Sequence, residues 1–231
     1  MSGSLSITSA IVDPALLDLP WNLPLEVWPE DSIAVLPKGI SRHLVRFAHL
    51  SGYVVAIKET SEDLARREYD MLRTLRRLDV PCVEPVAVIT NRMNDDDEAL
   101  DSVLVTRHLR FSLPYRALYS QTLRPDTATR LVDALAVLLV RLHIGGFFWG
   151  DVSLSNTLFR RDAGAFAAYL VDAETGSLYD SLSDGQREHD LEIARINIAG
   201  ELLDLAAGGR LDQATDPIEV SNGILAAYRT L

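Results

Sequence analysis

The chain has 231 residues, 48% hydrophobic and 24% charged, so it can bury a sizeable core and is not a disordered chain. A formal net charge of −11 excludes broad binding to nucleic acid or to an anionic membrane, though not a local basic pocket for phosphates. The single Cys82 excludes an intrachain disulfide and suits a reducing compartment, where it reads as a packed small residue.

In chain order, residues 1–30 carry Pro14, Pro20, Pro24 and Pro29 with Trp21 and Trp28, which predicts an irregular arm packed through its aromatic rings. The N-terminus shows no basic region followed by an apolar core, so a cytoplasmic location is expected. Strands are predicted over 33–45, 46–58, 82–90 and 102–108, and a helix over 63–78 whose apolar face is Leu64, Met71, Leu72 and Leu75. The acidic stretch 91–98 lacks the spacing and glycine of a calcium loop and reads as a solvated hairpin turn. A helix over 124–144 is closed by Gly145-Gly146. Its run Leu131–Leu142 is interrupted by Asp133 and Arg141 and is too short to span a bilayer. A hairpin is predicted over 157–161 and 165–171, one long helix or a helix pair over 183–205, and a final helix over 216–231 with no evident C-terminal cap, as if the natural polypeptide continued.

Two clusters of polar residues stand out against this frame. Phe148-Trp-Gly-Asp-Val-Ser-Leu-Ser-Asn156 places an Asp and an Asn five positions apart, and Asp172 follows sixteen residues later behind Ala168-Tyr-Leu-Val171. Upstream, Tyr53-Val-Val-Ala-Ile-Lys58 leads a strand-like run into a lysine, and Glu68 follows ten residues on within the first helix. Phosphoryl transfer of the protein-kinase type needs this ordered set: a lysine held by a glutamate, a carboxylate facing the attacking hydroxyl, and an amide and a second carboxylate for the metal. Taken singly, Lys58 also reads as a strand-end solubiliser and Glu68 as a solvated helix residue.

On these motifs, with His143-x-x-Gly-Phe-Phe-Trp-Gly-Asp151 and Ser155-Asn-Thr-Leu-Phe-Arg-Arg161, the chain resembles the protein-kinase-like superfamily from about residue 33 to 205. The likeness is to the small bacterial branch that resembles lipopolysaccharide kinases. The resemblance implies an α+β, two-lobed fold: an arm over 1–30, a sheet-and-helix lobe over 31–108, a mainly helical lobe over 109–231, and a hinge near 106–112. It implies that Lys58, held by Glu68, contacts ATP phosphates, that Asp151 orients or deprotonates the acceptor hydroxyl, and that Asn156 and Asp172 bind Mg2+. His143 reads as a catalytic acid or, in preference, as a support for the Asp151 loop, Ser153 and Ser155 as bonding the acceptor or, in preference, the loop backbone, and Asp190 either as capping the loop's amides or as an ordinary helix-start carboxylate.

The chain also departs from the family pattern. No Gly-x-Gly-x-x-Gly is present; Leu36-Pro-Lys-Gly-Ile-Ser-Arg-His43 takes its place, so phosphate cover would fall to the backbone of Gly39 and Ser41, with charge from Lys38 or Arg42. His-Arg-Asp becomes Trp149-Gly150-Asp151, and Asp-Phe-Gly becomes Asp172-Ala173-Glu174. Only seventeen residues separate Asp172 from Asp190, which leaves little room for a peptide-docking segment and favours a sugar, glycolipid or other small acceptor. A non-catalytic nucleotide-binding scaffold and a kinase-fold nucleotidyl transferase remain open alternatives.

Overall fold

The computed structural model describes residues 4–10, 13–34, 36, 43–162 and 164–231. Two compact units divide the chain: residues 1–74 with 83–109, and 75–82 with 110–231.

In the first unit, strands β1 (Ser6–Ser9), β2 (Val45–Leu50), β3 (Tyr53–Thr60), β4 (Glu84–Thr90) and β7 (Ser102–Arg107) form an antiparallel sheet in the order β1-β4-β7-β3-β2. Short β5 (Arg92–Met93) and β6 (Ala99–Leu100) pair beneath the acidic turn. The β2–β3 hairpin corrects the expected strand boundary at residues 45 and 46. The chain reverses at Ser51-Gly52, both with positive φ (43° and 88°), so β2 starts at Val45 instead of ending there. Two positive φ values match the right-handed twist of the flanking strands, and a Ser-Gly pair is a turn signal that the sequence carries openly.

Alternation along β3 gives each face its task. Val55 and Ile57 point into a core shared with Leu16, Trp21, Leu25 and Trp28 of the arm. The arm is more ordered than its prolines suggested: it contributes the edge strand β1 and 3₁₀ turns at Pro14–Asp18, Leu25–Val27 and Glu30–Ser32. Trp21 and Trp28 pack edge to face with centroids 5.3 Å apart, and their indole N–H groups donate to the Leu16 and Leu23 carbonyls. Arg92, the first residue of β5, clamps the arm. Its buried guanidinium donates to the carbonyls of Trp21, Leu23 and Asp101 and pairs with Glu59 at 2.7 Å. The opposite face of β3 presents Lys58. Helix α1 (Glu62–Arg77) buries Ala65, Glu68, Tyr69, Leu72 and Leu75, so Leu64 and Met71 lie at the half-buried edges of its apolar face rather than at its centre.

The second unit is mainly helical: α2 (Tyr115–Tyr119), α3 (Pro125–Ile144), α4 (Asp184–Ala207) and α5 (Pro217–Thr230). α5 packs on both α3 and α4; Leu135, Leu139 and Leu142 of α3, Leu191, Ile198 and Leu202 of α4, and Ile224 of α5 are buried. α4 is a single helix, started by a capping box in which Ser183 Oγ accepts from Gln186 N–H and Gln186 returns the bond to Ser183 N–H. β10 (Thr157–Asp162) and β11 (Ala165–Leu170) form the expected hairpin, extended by β8 (Ser112–Pro114), and β9 (Phe147–Phe148) pairs with β12 (Ser177–Leu178). Cys82 bridges to Leu170, and burial pushes its thiol up to about 12, the state of an inert packed residue. Among the described residues, no helix is long and apolar enough to cross a membrane.

Gly146, just past α3, has φ of +74°, and a Cβ there would lie 2.1 Å from the Tyr179 carbonyl oxygen. Gly52 has φ of +88° and nothing within 4 Å of the same atom. Gly146→Ala is therefore expected to cost about 2–4 kcal/mol and Gly52→Ala about 1 kcal/mol in urea unfolding, because only the first adds a backbone clash to the conformational strain. Equal losses would show that the contact at Tyr179 carries no weight.

Candidate active site

In the first unit, Lys58 Nζ lies 2.6 Å from Glu68 Oε2, with side-chain exposures of 12% and 2%. Period two puts Lys58 on the face of β3 opposite Ile57, and period 3.6 puts Glu68 in line with Ala65 and Leu72. A glutamate in the apolar stripe of a helix is itself a signal: a carboxylate stays ionised there only with a partner close by. Gly39 and Ser41, with Lys38 and Arg42, lie outside the described residues.

In the second unit, Asp151, Asn156 and Asp172 gather around one loop. Asn156 Nδ2 donates to the Asp151 carbonyl at 3.1 Å and to Asp151 Oδ2 at 3.0 Å. Both partners are acceptors, so the amide nitrogen faces Asp151 and the amide oxygen faces away from it. The loop is closed by Ser153, whose Oγ accepts from Asn156 N–H and whose carbonyl accepts from Thr157 Oγ1. Behind the loop, Trp149 is fully buried; its indole N–H donates to the Asp172 carbonyl at 3.0 Å, and Thr175 Oγ1 donates to the Trp149 carbonyl. Asp172 Oδ1 in turn accepts from Glu174 N–H. The tryptophan thus ties the Asp151 loop to the backbone that carries Asp172.

Asp190 caps the loop, the first of the two readings open at that position. Its carboxylate, with no exposed side-chain surface, accepts from Trp149 N–H and Gly150 N–H at 2.7 Å each and lies 3.2 Å from His143 Nε2. A carboxylate offers only acceptors, so Nε2 is the donor to Asp190, and on the other side of the ring Nδ1 lies 2.7 Å from the Tyr228 hydroxyl. His143 therefore supports the loop from behind, as expected. Burial raises the Tyr228 hydroxyl above its ordinary range, aided by the charges of Glu188 and Asp190 and opposed by Arg187.

Sequence reasoning missed Asn197, Glu201 and Tyr115. Asn197 Nδ2 donates to Asp151 Oδ1 at 3.3 Å and to the Val152 carbonyl at 3.2 Å. Glu201 accepts from Leu154 N–H, Ser155 N–H and Ser155 Oγ. Burial, more than the Asp151 charge, raises the Glu201 carboxyl above its usual range, while those three donors pull it down. The Tyr115 phenol is raised by burial first and by the Glu201 charge next, and Ser155 and Arg116 pull it down. Only α4's helical spacing from Asp190 could have pointed to Asn197 and Glu201.

An antiparallel sheet carrying a buried Lys–Glu pair, joined in one chain to a helical unit with an Asp–Asn loop and a second Asp, defines a phosphotransferase of the protein-kinase-like class. The chain belongs to the lipopolysaccharide kinase (Kdo/WaaP) family, whose model matches residues 46–198. Among solved structures, the fold is similar to "WaaP in complex with acyl carrier protein", at TM-score 0.57 and 19% identity over 85% of this chain and 80% of that one. It is also similar to an aminoglycoside-3'-phosphotransferase of type VIII, at TM-score 0.56 and 15% identity over 88% of this chain and 87% of that one. No curated protein sequence matches the chain.

Proposed function

We propose that this kinase transfers the γ-phosphoryl group of ATP, with Mg2+, to a hydroxyl of a sugar, glycolipid or other small acceptor in the cytoplasm. One observation carries the reading: the Asp151 carboxylate is held on both oxygens by side-chain amides, Asn156 on one and Asn197 on the other. A carboxylate fixed in this way suits a group that must face one hydroxyl in one orientation.

Lys58, paired with Glu68, takes the nucleotide phosphates. Asp151 accepts the hydroxyl proton as the acceptor oxygen attacks the γ-phosphorus. The Asn156 amide oxygen, turned away from Asp151, and the Asp172 carboxylate are hard oxygen donors of the kind magnesium prefers, so the residues present fit that ion. When bound, magnesium neutralises phosphate charge. The acceptor class is supported by the segment after Asp172, where a tight turn, β12 and the Ser183 cap lead directly into α4.

A thermal-shift titration tests the reading. ATP with magnesium is expected to raise the wild-type midpoint by about 5–10 °C at one hundred times Kd, and Asp172→Ala is expected to abolish the rise. No shift at millimolar ATP would favour the non-catalytic scaffold instead. Label recovered on product from α-labelled rather than γ-labelled ATP would make the enzyme a nucleotidyl transferase.

A further inference from the structure

We infer that Asn197 and Glu201 are positioning residues for phosphoryl transfer: one face of α4 sets the catalytic loop residue by residue, Asn197 orienting the Asp151 carboxylate and Glu201 fixing the loop just before Asn156. This rests on the kinase reading above.

Asp190, Asn197 and Glu201 are spaced seven and four residues apart. At about 100° per residue they share one face of the helix within roughly 40°, and at 1.5 Å per residue they climb it in steps of about 10.5 and 6 Å. The loop runs alongside in the same order. Asp190 takes the N–H groups of Trp149 and Gly150. Asn197 takes Asp151 Oδ1 and the Val152 carbonyl. Glu201 takes Leu154 N–H at 2.7 Å, Ser155 N–H at 2.9 Å and the Ser155 hydroxyl. Donors and acceptors alternate as the loop requires: a carboxylate where it shows N–H groups, an amide where it shows oxygens.

The chemistry at each position is specific. The Asn197 amide donates to Asp151 Oδ1, so without it the carboxylate loses one of the two side-chain amides that hold it against turning about its Cβ–Cγ bond. Glu201 has two acceptor oxygens for three donors, and a glutamine in its place would have one. The glutamine's N–H2 would then face either Leu154 N–H or Ser155, donor against donor, and Asn156, the next residue, would be displaced. Misplacing a reacting group by about 1 Å costs on the order of 10²-fold in rate.

The test uses the full chain and Mg-ATP hydrolysis, with water as the acceptor. Asn197→Ala and Glu201→Gln are each expected to lower kcat about 10–100-fold while KM for Mg-ATP stays within about threefold. Because Asn197 acts through Asp151, the double variant Asp151→Asn/Asn197→Ala is expected to be no slower than Asp151→Asn alone. A merely structural role would lower the melting point and leave kcat per folded molecule unchanged. Wild-type kcat in Asn197→Ala, or losses that multiply in the double variant, would overturn the inference. If Glu201→Gln fails to fold, Asn197→Ala and the double variant decide alone. A wild type that neither hydrolyses Mg-ATP nor shows the magnesium-dependent melting shift would sink the kinase reading, and this inference with it. An active wild type with equally active variants would sink this inference only.

Discussion

Asp151→Asn is expected to lower kcat for phosphoryl transfer from Mg-ATP by about 10²–10⁴-fold while leaving Kd for Mg-ATP within about twofold. Asparagine keeps the shape of the side chain but cannot take a proton from the attacking hydroxyl. It also cannot satisfy both amides, since Asn156 and Asn197 approach different oxygens and each presents a donor. One of them would meet the new N–H2 group, so a small fall in stability is expected beside the large fall in rate. Single-turnover transfer from γ-labelled ATP, with the melting shift on Mg-ATP measured on the same preparation, checks both halves. A variant that keeps more than about a tenth of the wild-type rate would remove Asp151 from the role of base. Loss of nucleotide binding together with rate would mean that Asp151 acts mainly on the metal or the phosphates.

The largest effect on stability is expected from Arg92→Met. The guanidinium has no exposed side-chain surface and its partner Glu59 is 14% exposed, so the pair is shielded from solvent. Removing one member of such a pair costs about 3–5 kcal/mol, because the other charge stays buried without its partner. Here three main-chain carbonyls, from Trp21, Leu23 and Asp101, lose their donor as well. A fall of about 6–20 °C in the melting midpoint follows for a chain of this length. Arg66→Ala is the control. Its pair with Glu62 is one helical turn long and its side-chain exposures are 42% and 47%, so a loss of less than about 1 kcal/mol is expected. A double change of Arg92 and Glu59 to apolar residues should recover only part of the loss, since the arm's carbonyls would still face a dry core. Full recovery would show that the ion pair, not the arm, is what Arg92 serves.

The parts of the molecule legible in the sequence are those whose signal is local. Lys58 announces itself by ending a β-branched run, Asp151 and Asn156 by their fixed spacing, and α1 and α3 by their period. The fold class followed from the order of those elements. What stayed hidden depends on residues far apart in the chain. Glu201 reaches Leu154 across 47 positions and Arg92 reaches Trp21 across 71, and no spacing rule connects such pairs. Arg92 reads as part of a solvated loop because it sits beside Asn91 and the acidic turn. The β2 boundary is hidden for a different reason: Val45 and Arg46 lie inside one continuous strand pattern, and the Ser51-Gly52 turn signal is only two residues long. In the arm, four prolines suppressed the expectation of regular structure, although Ser6–Ser9 needs only one neighbour, β4, to pair as an edge strand.

The helix side chains that grip the Asp151 loop come from chain that follows it: α4 supplies Asp190, Asn197 and Glu201, and Tyr228 of α5 reaches back 85 positions to His143. During synthesis at about 5–20 residues per second, roughly 4–17 s separate the emergence of His143 from that of its partner. For the first part of that interval the nascent chain carries the Asp151 loop without α4, whose Asp190, Asn197 and Glu201 bond it. The ribosome thus releases the motif most recognisable in the sequence before the residues that shape it, and the loop's geometry waits on the helices that follow it.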